Sequence, residues 1–112
     1  GYYNTGFIYD EVFCVRQTSD GGYILCGAAE KSPPFVLPIK KDILVIKTDA
    51  DGNEIWKKTF TDGYGYGIGY DIQQTPDGGY ILTGLLIVEL VELVRVDDDV
   101  YLLKLDANGN PE

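Results

Sequence analysis

Eleven residues recur almost unchanged within the chain. "QTSDGGYILCG" at 17–27 and "QTPDGGYILTG" at 74–84 differ at two positions and lie 57 residues apart. The same offset sets "DILVIKTDADGN" (42–53) against "DVYLLKLDANGN" (99–110) without a gap. A fixed period of this size means that one supersecondary unit is built twice and buries its apolar face against a neighbour. With 45% hydrophobic and 12% aromatic residues the chain has the material of a folded core. Its 112 residues suit one small domain.

The unit is made of strands and turns. "EVFCVRQT" is rich in β-branched and aromatic residues, "SDGG" supplies turn chemistry, and "YILCG" resumes the apolar pattern. Gly21 or Gly22 can take the positive φ that a tight, bulged hairpin requires. A second hairpin follows: "DILVIKT", the turn "DADGN", then "EIWKKTF". Each period therefore holds four short strands, A to D, and the fold is expected to be all-β and antiparallel, with repeat one at about residues 11–67 and repeat two at about 68–112. If "SDG" is a three-residue loop closed by a bulge, Cys14 faces Cys26, and Asp71 faces Thr83 in the second repeat. Both partners change together, so the positions are expected to touch. This leads to an expected Cys14–Cys26 disulfide, with two buried free thiols as the alternative.

The words "IQQTPDGGYILTG", "DVYLLKLDANGN" and "EIWKKTF" resemble the blades of a β-propeller repeat family found in bacterial and archaeal secreted or surface proteins. The resemblance covers nearly the whole chain and implies propeller-like blades and an extracellular or cell-surface location. Propellers close with about four to eight blades; this chain has two repeats. The period sets Tyr2–Gly6 on Thr59–Gly63, so the chain begins in the tail of a D strand, and "DANGNPE" stops where the last strand D would start. The second blade is thus expected to lack its own last strand, and to be completed by residues 2–5 of another copy, Tyr2 and Tyr3 included. The alternative is a fragment of a longer propeller. The absence of an initiator Met and of a recognisable signal peptide fits a processed or trimmed product.

The stretches between strands B and C differ most between repeats. "AAEKSPPFVLPIKK" (28–41) has three prolines and reads as an extended loop. "LLIVELVELVRVDD" (85–98) is ambiguous between helix and strand: Glu89, Glu92 and Arg95 would form one stripe on a helix, whereas five of the first twelve residues are Ile or Val, which favours an extended strand running on from B. Its apolar side chains, Leu85, Leu86, Ile87, Val88, Leu90, Val91, Leu93 and Val94, are expected to join Tyr2, Tyr3, Val100 and Leu102 in an intersubunit contact. The alternative is that the stretch folds back over its own sheet.

Chemistry is sparse. The chain has no His, which removes the usual general base and the commonest nucleophile pairs, and no enzymatic role is expected. Asp49, Asp51 and Asn53 alternate like the opening of a calcium loop, but Phe60 stands where the closing acidic ligand belongs, so these weak candidates read better as a turn and no cofactor is expected. In "DGYGYGIGYD", Tyr64, Tyr66 and Tyr70 occupy alternate positions, which would make either a stacking platform for a sugar ring or ordinary packing between sheets. A net charge of -9 disfavours nucleic acid, and no apolar run reaches the ~18 to 20 residues of a membrane span. Two functions remain. One is a structural protein whose copies join into a ring or filament; the other is a module that binds carbohydrate or another surface protein.

Overall fold

The computed structural model describes residues 2–4, 9–30, 41–60, 66–91 and 94–112, with side chains at 10–30, 41–60, 67–85, 100 and 102–112. Eight strands follow one another: β1 (Tyr2–Asn4), β2 (Tyr9–Gln17), β3 (Tyr23–Glu30), β4 (Lys41–Thr48), β5 (Glu54–Phe60), β6 (Tyr66–Gln74), β7 (Tyr80–Val91) and β8 (Val94–Leu105). Strands β2 to β5 form one antiparallel meander and β6 to β8 a second, with a single parallel bridge, Lys41 to Tyr66, between them. The all-β antiparallel expectation holds, and the two sheets do not close. Among the described residues no helix is long and apolar enough to cross a membrane.

Each repeat is locked by the same turn. Thr18 N–H donates to Gly22 O at 2.9 Å, and Thr75 N–H to Gly79 O at 2.9 Å. The two glycines of each "DGG" do different work. Gly21 and Gly78 sit at φ 87° and 85°, where a side chain is strained. Gly22 and Gly79 are needed for space: a Cβ on either would lie 2.2 or 2.3 Å from the carbonyl oxygen of Thr48 or Leu105. The same close approach lets Lys47 reach Asp20 at 3.2 Å and Thr48 O at 2.7 Å; Lys104 repeats this with Asp77 at 3.2 Å and Leu105 O at 3.0 Å. The two repeated words therefore recur together because their ends bond to each other.

The expected hairpin register is present. Cys14 pairs with Cys26, and Asp71 with Thr83. In both repeats one residue is skipped, Phe13 between Val12 and Cys14 and Tyr70 between Gly69 and Asp71. Such a bulge turns the extra side chain away from its neighbours' pattern.

Within the stretch at 85–96, residues 85–91 and 94–96 are strand. Strands β7 and β8 pair antiparallel as far as Val91 and Val94, so in the described residues the β-branched content outweighs the three-residue stripe of charge. The beginning of the chain finds a partner within its own molecule. Tyr2, Tyr3 and Asn4 pair antiparallel with Glu11, Asp10 and Tyr9 of the same molecule, on the free edge of β2. A partner a few residues away in sequence carries a small loop-closure cost, which favours this local pairing within one chain.

Candidate assembly interface

The larger core cluster lies between the two sheets, and a smaller one, Ala29, Leu44 and Ile46 with Leu25 against it, lies on the other face of the first sheet. Strand alternation brings Ile24 and Cys26 of β3 and Ile43 and Val45 of β4 to one face of the first sheet. Against them stand Ile72 of β6, Tyr80 and Leu82 of β7, and Leu103 and Leu105 of β8. All nine are buried. Strand β5 closes the outer side by adding Trp56 and Phe60 to this face. Trp56 meets Tyr80 edge-on, with ring centroids 6.2 Å apart. A Cβ on Gly109 would lie 2.8 Å from the Trp56 indole, so this turn rests directly on the ring.

Polar contacts tie the inner strands β2 and β6. Arg16 grips the Asp71 carboxylate with Nε at 3.1 Å and Nη2 at 2.9 Å. The Cys14 thiol donates to Asp71 Oδ1 at 3.0 Å. The thiol and then Arg16 hold the Asp71 carboxyl below its ordinary range, and Asp71 in turn raises Arg16. Ser19 N–H donates to Gln74 Oε1 at 2.9 Å. Both members of the Arg16–Asp71 pair are about half exposed, so it orients the sheets more than it stabilises them.

The repeat makes the interface informative, because every position occurs twice. Phe13 meets Tyr70, with centroids 6.4 Å apart, and Cys14 meets Asp71; each pair is a position touching its own counterpart 57 residues on. One step therefore carries the first sheet onto the second. The counterparts of buried Ile43 and Val45 are Val100 and Leu102 on β8. Ile43 and Val45 are 1% and 0% exposed, whereas Val100 and Leu102 are 87% and 66% exposed. On the outer edge of β8, the pairing among the described residues is Leu105 with Pro111, where Glu112 N–H donates to Lys104 O at 3.0 Å, in the register that Thr48 has with Glu54 at the start of β5.

Several expected site residues fall here and others do not. Val100 and Leu102 form the exposed face, and Leu85 is partly buried near it on β7. Leu86, Ile87, Val88, Leu90, Val91 and Val94 have described backbone only, as have Tyr2, Tyr3 and Tyr66; Leu93 and Tyr64 lie outside the described residues. Tyr70 is half exposed against Phe13. Asp49 uses its carboxylate within its own turn, accepting N–H bonds from Asp51 at 2.9 Å and Asn53 at 2.8 Å, and the Asn53 bonds hold it below the ordinary carboxylate range. The turn reading of Asp49, Asp51 and Asn53 accounts for this geometry.

The expected disulfide is not formed. Cys14 and Cys26 are opposed, yet both thiols are free. Cys14 is occupied with Asp71, and burial pushes the Cys26 thiol far up, away from the thiolate that oxidation requires. Sequence reasoning missed Arg16 and Asp71 as a pair, and Lys47 with Asp20. The signal for the second was present: an acid and a lysine 27 residues apart in both repeats. No protein-family model matches the chain, and no curated protein sequence matches it.

Proposed function

We propose that the chain is a structural repeat module, built of two propeller-like blades, whose copies join into a ring or filament. The carrying observation is the contrast between equal positions: Ile43 and Val45 are 1% and 0% exposed, while Val100 and Leu102 are 87% and 66% exposed. Apolar β surface of that kind, on a strand whose outer edge is paired among the described residues only at Leu105–Pro111, favours association with another chain. The register of Pro111 on Leu105 supports strand completion, since it is where β5 begins in the first repeat. Residues 2–5 of a neighbouring copy fit the outer edge of β8 by the period; for this, β1 gives up its three pairings to β2, an exchange of the kind seen in domain swapping. The resemblance of the repeated words to secreted and surface proteins supports an extracellular setting. The free thiols take away the separate argument from a disulfide.

Light scattering after size exclusion, with negative-stain imaging, tests this reading. Closed particles or fibres are expected. A species of 12.4 kDa at every concentration up to the millimolar range refutes it. One observation favours a second reading as a carbohydrate- or protein-binding module: Phe13 and Tyr70 form a half-exposed aromatic pair beside β2 and β6, suited to stacking on a sugar ring or an apolar partner. A monomer retained on an oligosaccharide column, and released by Tyr70→Ala, would support that module instead.

A further inference from the structure

The assembly reading leaves open how one molecule recognises the next. We propose that a second copy docks the β2–β3 side of its first sheet onto the exposed β7–β8 face of this chain, repeating between molecules the interface that joins the two sheets within one. This deepens the assembly reading and rests on it.

Both halves of such a joint are present. The receiving face contains Val100 and Leu102, the counterparts of Ile43 and Val45, which the second sheet covers in this molecule. What covers them is Ile72, Tyr80 and Leu82, on the inner two strands of that sheet, together with Leu103 and Leu105. The counterparts of the first three are Val15, Tyr23 and Leu25, two of them the same residue type. Val15 is 55% exposed, and Tyr23 and Leu25 are partly exposed. The occupant's contact is confined to these inner strands, because Ile46 and Thr48, which match Leu103 and Leu105, are already buried within the chain.

The aromatic pair extends the same way. Phe13 and Tyr70 touch one another across the two repeats, and each remains about half exposed. A copy placed by the same step sets its Phe13 against the free side of this Tyr70. The polar contacts do not all carry over. Gln73 stands where Arg16 stands in the first repeat, so the joint lacks the ion pair with its guanidinium. Pro76 replaces Ser19, whose N–H donates to Gln74, and a proline has no N–H to give. The joint between molecules is therefore the weaker, mainly apolar version of the one inside. Its two surfaces differ, so it is heterologous and runs in one direction.

Complementary blocking tests this. Leu102→Glu spoils the receiving face and Val15→Glu the docking face, and both side chains project into solvent in the single chain. With folding checked by circular dichroism, each variant alone is expected to be monomeric. Their equimolar mixture is expected to give a one-to-one dimer and nothing larger, since only one intact joint can form. If either variant assembles like the wild type, the docking inference falls while self-association stands. A mixture that stays monomeric overturns the head-to-tail arrangement. A monomeric wild type overturns both the inference and the assembly reading. Should Leu102→Glu fail to fold, Val100→Lys, at a position 87% exposed, blocks the same face.

Discussion

Val45 and Leu102 hold the same place in the two repeats, which makes them a matched pair for truncation to alanine. Val45 is wholly buried between the sheets. Removing its two methyl groups forfeits about 1.6 kcal/mol of transfer free energy, at about 0.8 kcal/mol each, and the cavity left behind raises the loss to about 2–3 kcal/mol. Leu102 is 66% exposed. Its three carbons would be worth about 2.4 kcal/mol if fully buried, and at a third of that the loss is about 0.8 kcal/mol or less. The expected fall in Tm is about 8–15 °C for Val45→Ala and about 4 °C or less for Leu102→Ala in a domain of this size. Urea unfolding followed by circular dichroism, at one protein concentration dilute enough to keep the chain monomeric, measures both. An equal loss of stability in the two variants would refute the packing of the first sheet's Val45 face onto the second sheet. At higher concentration Leu102→Ala is expected to weaken association while Val45→Ala leaves the exposed face intact.

Gly79→Ala places a methyl 2.3 Å from Leu105 O and is expected to cost on the order of 2–4 kcal/mol; Gly78→Ala adds strain at φ 85° but meets nothing, and about 1–2 kcal/mol is expected, both read from urea midpoints. Asp20 and Asp77 are held down to about 2 from an ordinary 3.8, chiefly by the Thr18 and Thr75 hydroxyls, then by the N–H groups of Gly22 and Gly79 and by Lys47 and Lys104. Because both values lie lower in the folded chain, their contribution is complete above about pH 4 and is lost as pH falls through about 2; carboxyl-detected NMR titration should find these two among the last to protonate, and an ordinary titration of either would contradict the turn geometry. Thiol labelling of the native chain should reach the partly exposed Cys14 before the buried Cys26, which reacts only on unfolding; a chain with no reactive thiol even when unfolded would mean that the bond between them forms after all.

Local structure was legible in the sequence because local rules set it. The "DGG" turn determined the hairpin register down to the opposition of Cys14 and Cys26. In the described residues of 85–96, Ile and Val content decided for strand over a charge stripe that helices and strands can both display. What the words could not convey is which faces meet. Ile43 and Val100 stand in equivalent positions within strands of the same apolar pattern, and one is buried while the other is bare. Pattern reports how apolar a face is; only the neighbour's position reports whether it is covered. The same holds for Arg16 and Asp71, whose partnership arises between sheets 55 residues apart in sequence. The opposed cysteines were placed correctly, but an acceptor from the other sheet engages one thiol, which no reading of the hairpin alone could reveal.

The chain has one tryptophan, and the turn carrying Gly109 rests on its ring. Trp56 is therefore a built-in optical gauge of the seam between the sheets. Anything that slides them apart, whether denaturant, mechanical load or an invading strand, must lift that turn from the indole and wet it. A red-shifted emission arriving before the loss of β signal would single out the parting of intact sheets from their melting.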